Sequence, residues 1–156
     1  MRLSIAIGFA LALLALAGCG REDSSTPVAC LEGSSTYVKA LAAAPGEVRL
    51  DGETPIGDCL VEGQQGGELA TVGTALVEAA TELNAEARAE SGDAAALQLG
   101  YLIGAAQRGS EQTEGIHTDL IRRLTVAARY APGGQSSSPF LAAAYRQGYD
   151  AGHAGG

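Results

Sequence analysis

A chain of 156 residues, with 10 basic against 18 acidic side chains and a formal net charge of −8, can bury one real core but not two. The acidic balance, with no basic patch to offset it, excludes nucleic acid as a natural partner. It also disfavours a flat association with anionic lipid headgroups.

The N-terminus carries the most specific pattern in the chain. Arg2 supplies a positive charge, Leu3 to Leu14 form an almost unbroken apolar run, and Ala17 and Gly18 place small residues before Cys19. That is the layout of a cleaved export signal. An uncleaved transmembrane helix needs about 20 apolar residues, and the run from Leu3 to Gly18 falls short of this before Arg21-Glu22-Asp23 ends it. A non-lipidated secreted chain, cut after Ala15-Leu16-Ala17, is the other alternative.

Leu16-Ala17-Gly18-Cys19 resembles the lipobox of bacterial lipoproteins, a resemblance confined to residues 1–20. It implies that residues 1–18 are a lipoprotein signal peptide and that the Cys19 sulfur receives a diacylglyceryl group. Cleavage then leaves Cys19 as the mature N-terminus, with its amino group open to acylation. The implied address is extracytoplasmic, at the cell envelope, with the membrane as partner through the anchor on Cys19. One fatty chain binds marginally, at about 0.8 kcal/mol per buried methylene, whereas two or three hold firmly. Gly20 stands where an inner-membrane retention aspartate would be, so sorting to an outer membrane stays open. Loss of Arg2 would move the charge from −8 to −9, nine basic against 18 acidic residues.

With Cys19 taken by lipid, Cys30 and Cys59 remain as an even pair in an exported chain, where thiols are normally oxidised. A disulfide closing a loop of about 30 residues would stabilise the fold by roughly 3.5 kcal/mol on the chain-entropy model. A metal site would need further ligands nearby, and neither cysteine belongs to a CxxC motif. Residues 19–28 read as the lipidated N-terminus and a polar tether, followed by a single helical domain over 29–154.

Helix signals then follow in order. A short helix starts at Ser34, Ser35 or Thr36 as cap and stops at Pro45-Gly46. Residues 45–66 are a long irregular connection in which Asp51-Gly52 can turn a hairpin, though Pro55 spoils the returning strand. Glu68 to Glu90 is the clearest helix, with Leu69, Val72, Leu76, Ala80, Leu83 and Ala87 on one face. Asp93 caps the next helix, which runs to Arg108 and stops at Gly109. It carries apolar residues on two faces, which implies a central position or a further partner. A helix over 116–130 buries Ile116, Leu120, Ile121, Leu124 and Ala127 or Ala128. Ser138 as cap and Pro139 in the first turn open the last helix, presenting Leu141, Ala144, Tyr145, Gly148 and Gly152. Its end at Gly155-Gly156 is expected to fray.

The sum is an all-α domain, a small bundle of about four main helices plus one short N-terminal helix, stapled by one disulfide. Gly100/Gly104 and Ala144/Gly148/Gly152 put small residues four apart, so helix axes can approach closely. Tyr101-x-x-Gly104 and Tyr145-x-x-Gly148 echo one another, too briefly to make a repeat.

Candidate chemistry is sparse. Glu78, Glu82, Glu86 and Glu90 form an acidic ridge that costs roughly 0.2–0.5 kcal/mol per like-charged pair. It suits a solvated face, with Arg122, Arg123 and Arg129 as possible counter-charges, better than a convergent cation site. His117 is expected at the surface or as a cap, and His153 stands one turn after Asp150, a weak chelating pair at best. No nucleophile elbow, zincin or phosphate-loop motif occurs. The expectation is therefore a non-enzymatic interaction or structural module of the cell envelope, with no cofactor, no metal and an envelope protein as partner. A small-ligand carrier with a groove lined by Tyr101, Tyr145 and Tyr149 is the alternative, and an extracytoplasmic hydrolase comes third.

Overall fold

The computed structural model describes residues 25–89, 92–113, 115–129 and 139–156, and within them the chain is helical. A 3-10 turn at Val28–Leu31 leads into α1, Ser34–Leu41, and a second at Ile56–Cys59 precedes α2, Gly66–Glu86. Three more helices follow: α3, Asp93–Glu111; α4, Thr118–Ala127; and α5, Pro139–Gly155. Among the described residues there is no strand, only an isolated bridge between Leu50 and Thr54. The small all-α bundle expected from periodicity is the fold.

Cys30 and Cys59 form a disulfide with Cα atoms 5.5 Å apart, both fully buried. The bond joins the turn before α1 to the turn before α2. Tyr37 of α1 caps it by donating its hydroxyl to the Cys30 carbonyl at 2.9 Å, and burial pushes that phenol above its ordinary pKa. The start of α1 departs from expectation. Its cap is Gly33, at φ +98°, which has no side chain to make a capping bond, and the Thr36 hydroxyl turns back to Glu32 at 3.2 Å.

The connection between α1 and α2 does more than connect. Val48, Leu50, Ile56, Cys59 and Leu60 are all buried and extend the core beneath the helices. Asp51 and Gly52, both at positive φ, turn the chain so that Leu50 and Thr54 exchange backbone hydrogen bonds of 2.8 and 3.1 Å. Pro55 has no N–H to continue the ladder, which limits it to that one pair.

Along α2 the expected stripe is buried at Val72, Leu76, Ala80 and Leu83, and the helix ends at Glu86 rather than Glu90, with Ala87 still in the core. The two-faced pattern of α3 has its explanation in position. Leu99, Tyr101, Leu102, Ile103, Ala105 and Ala106 are all buried because α5, α2, α4, α1 and the turn at Ile56–Cys59 pack around it. Asp93 is the first residue of α3 rather than its cap, which is Gly92. Gly109 does not stop the helix. It lies within it, where the Gly57 carbonyl oxygen occupies the place a Cβ would take. On α4, Leu120, Leu124 and Ala128 are buried as expected, whereas Ile116 is 45% exposed. Ile116 sits in the turn after Gly115, φ +88°, two residues before the helix, so the helical phase that assigned it to the core does not apply. The start of α5 at Pro139 matches its signal, while Ser138 and the side chain of Leu141 lie outside the described residues.

Close packing of α3 on α5 is the defining contact of the bundle. A Cβ at Gly100 would overlap the Tyr145 carbonyl oxygen, one at Gly148 that of Leu97, one at Gly104 that of Tyr149, and one at Gly152 that of Tyr101. Each glycine therefore directs a Cα hydrogen at a carbonyl of the opposite helix, a weak hydrogen bond favoured where axes come close. Partner numbers rise together along both helices, so the two run parallel. Gly100 stands opposite Gly148 and Gly104 opposite Gly152, each glycine meeting the carbonyl three residues before its counterpart, which is a local two-fold arrangement. Residues 94–106 and 142–154 share Ala-Ala-Ala-x-x-x-Gly-Tyr-x-x-Gly-x-Ala, seven identities in 13 positions. The echo is thus a repeat, displaced by 48 residues and aligning Tyr101 with Tyr149. Gly156 prolongs the seam instead of fraying: it is buried against Ala105, and its N–H donates to Gly152 O at 2.7 Å.

Candidate functional site

Cys19, the expected lipidation site, lies outside the described residues, as do residues 1–18 and Glu90. The chain joins the domain earlier than composition suggests. Thr26, assigned to the tether, is only 6% exposed and donates its hydroxyl to Glu68 Oε2 of α2 at 2.8 Å.

That contact belongs to a buried polar chain centred on His117. Gln64 Nε2 donates to Thr26 Oγ1 at 2.8 Å and to the Cys59 carbonyl at 3.1 Å. Gln64 Oε1 lies 2.9 Å from His117 Nε2, and His117 Nδ1 lies 2.7 Å from Thr113 Oγ1, which also stands 2.9 Å from the Ser110 carbonyl. His117 is fully buried and Thr113 is 2% exposed. The expected surface or capping histidine is corrected on both counts: it occupies the cap position of α4 but makes no capping bond, because both ring nitrogens are engaged in the interior. Burial holds the imidazole below its ordinary pKa.

Hydrogen positions follow from the partners. A backbone carbonyl only accepts, so Gln64 Nε2 must face Cys59 and its Oε1 must face the ring. His117 therefore carries a proton on Nε2. In the neutral ring Nδ1 accepts from the Thr113 hydroxyl. The network fastens together the N-terminal segment, the disulfide turn, the start of α2 and the corner between α3 and α4. Thr113, His117 and Gln64 stand in the order of a nucleophile, a base and an orienting group, but the hydroxyl and the ring are enclosed.

Thr113 also reaches the wall of a depression of about 310 Å³ with Gly57, Asp58, Leu60, Val61, Glu62 and Gln112. Gly33, Ala70, Thr71, Thr74, Ala75 and Glu78 line a second, of about 360 Å³, beside α2. Neither includes Tyr101, Tyr145 or Tyr149, the residues of the expected ligand groove. Tyr101 is buried and the seam brings the α3 and α5 backbones into contact at that level.

His153 stacks on Tyr149, with ring centroids 5.9 Å apart, and its Nε2 lies 3.3 Å from Glu111 Oε1. It thus faces α3 rather than Asp150. Among the described residues no group of three or more His, Cys, Asp or Glu is placed to hold a metal ion. Glu78, Glu82 and Glu86 are exposed along α2, and no described ion pair joins them to Arg122, Arg123 or Arg129; Arg122 pairs with Asp119 at 2.6 Å. Asn84, also missed by periodicity, donates from Nδ2 to the Ala127 and Arg129 carbonyls at 2.8 and 3.1 Å, satisfying the end of α4.

Gln64, Thr113 and Thr26 carry no motif. Only the i, i+4 spacing of Thr113 and His117 hints at their contact, and the span of 53 residues between Gln64 and His117 hides the rest. No helix among the described residues is long and apolar enough to cross a membrane. No protein-family model, curated protein or solved structure matches the chain.

Proposed function

We propose that the chain is a lipid-anchored extracytoplasmic lipoprotein whose helical domain is a non-enzymatic interaction or structural module of the cell envelope. The observation that carries this is Leu16-Ala17-Gly18-Cys19 behind a charged and then apolar N-terminus. The buried Cys30–Cys59 disulfide supports it, since such bonds persist where the compartment is oxidising. The anchor on Cys19 holds the domain at the membrane, and the tether ends by Thr26, where the chain docks on α2.

Metabolic labelling with a fatty-acid analogue tests the reading. Wild type is expected to take up label and to partition with membranes, and Cys19→Ala to lose both. An unlabelled wild type ends the lipoprotein assignment. Crosslinking of the anchored protein in its native envelope then identifies the partner.

A further inference from the structure

We propose that Thr26, Gln64 and His117 form an acid-sensitive clasp, holding the N-terminal segment against α2 at neutral pH and loosening it when His117 takes up a proton. The clasp is a property of the folded chain and stands whether or not Cys19 is lipidated; only its consequence, a longer reach from the membrane, rests on the anchored reading.

The hydrogen-bond directions define what protonation does. In the neutral ring Nε2–H donates to Gln64 Oε1 and Nδ1 accepts from Thr113. When Nδ1 gains a proton it must donate to Thr113 Oγ1, whose own hydrogen then turns to the Ser110 carbonyl, already 2.9 Å away. A rotating hydroxyl thus gives the ring a way to accept a proton. The penalty is electrostatic: the imidazolium would be buried without an ion-pair partner.

The charged groups on the surrounding elements do not supply one. On α2, Glu68 is reached only through Gln64 and Thr26. Asp58, in the turn before α2, and Glu62, in the following loop, line the depression that Thr113 borders. At the end of α3, Glu111 faces His153, and on α4 Asp119 pairs with Arg122. None hydrogen-bonds the ring among the described residues; Glu114 lies outside them. Water must therefore reach the imidazolium, and of its two partners Gln64 is half-buried whereas Thr113, though it borders the depression, is only 2% exposed. Hydration at Gln64 takes its amide from Thr26, and the strap is then held at that residue by the Glu68 bond alone.

The sign follows from linkage. A histidine held below its ordinary value binds fewer protons folded than unfolded, so its contribution is complete above 6.5 and is lost as pH falls below it toward the folded-state value.

The chain has only two histidines, His117 and His153, so both imidazoles can be followed by nitrogen NMR in the full-length protein. The expected result is an Nε2–H tautomer for neutral His117 and a midpoint below 6.5. Backbone exchange over residues 26–31 and 60–65 should rise several-fold as His117 protonates, ahead of α3 and α5. His117→Gln is expected to abolish the acid-dependent rise, and His153→Gln to keep it. A His117 midpoint at or above 6.5, or unchanged exchange in wild type across its titration, overturns the clasp. Neither outcome depends on fatty-acid labelling, so the clasp and the anchor fail separately.

Discussion

The two halves of this bundle hold together by different means. Residues 26–65 have little helix, and their order comes from a disulfide, the Tyr37 and Gln64 hydrogen bonds and a few apolar side chains pushed under the helices. The seam between α3 and α5 uses almost no side chain at its centre; glycine lets one backbone rest on another. The first is a set of separate fastenings, each removable alone. The second is a shape, which a single added carbon disturbs along its length.

The largest expected effect is on the fastened half. Cys30→Ser with Cys59→Ser should cost roughly 3.5 kcal/mol in urea unfolding. Amide exchange should show residues 26–65 loosening while α3 and α5 keep their protection. Uniform loss of protection across both halves would show that the two do not open separately.

Gly148→Ala should cost about 3 kcal/mol, because the methyl meets the Leu97 carbonyl and neither helix can yield without moving the other. Gly100→Ala should match it closely, since it meets the equivalent Tyr145 carbonyl. Matched losses by thermal or urea unfolding support the two-fold arrangement, and a marked inequality breaks it.

Thr113→Val keeps the shape but leaves His117 Nδ1 without a donor, and should cost about 1–2 kcal/mol. The loss should grow in acid for a reason internal to the ring: once protonated, Nδ1–H needs an acceptor, and valine offers none. Unfolding free energies at pH values on either side of 6.5 measure this. Smallest of all, Glu82→Gln removes two like-charged pairs, with Glu78 and with Glu86, and should raise stability by about 0.5 kcal/mol, diminishing with added salt.

The legibility of the sequence divides along the same line. Periodicity finds the buried stripe of α2, the two-sided burial of α3 and the glycine spacing of α5, because these depend on residues a turn apart. It misplaces Gly109, whose role is set by Gly57 in a distant turn, and Ile116, which a positive-φ glycine takes out of helical phase. The repeat is visible in the chain, but pairing Tyr101 with Tyr145 sets its register four residues out; Gly-Tyr-x-x-Gly at 100–104 and 148–152 is the unit that aligns. His117 is the deepest miss. A lone histidine beside Thr118 and Asp119 looks solvated, and its burial follows only when Gln64 and Thr26 arrive from elsewhere.

An isologous contact ordinarily joins two molecules, and dilution dissolves it. In α3 and α5 both participants belong to one polypeptide, so the encounter is intramolecular and its occupancy is independent of how much protein is present. A peptide copy of the α5 motif added from outside would have to displace a competitor that never leaves. Pairing of this kind, which separate helices secure by mass action, is here written into the covalent chain.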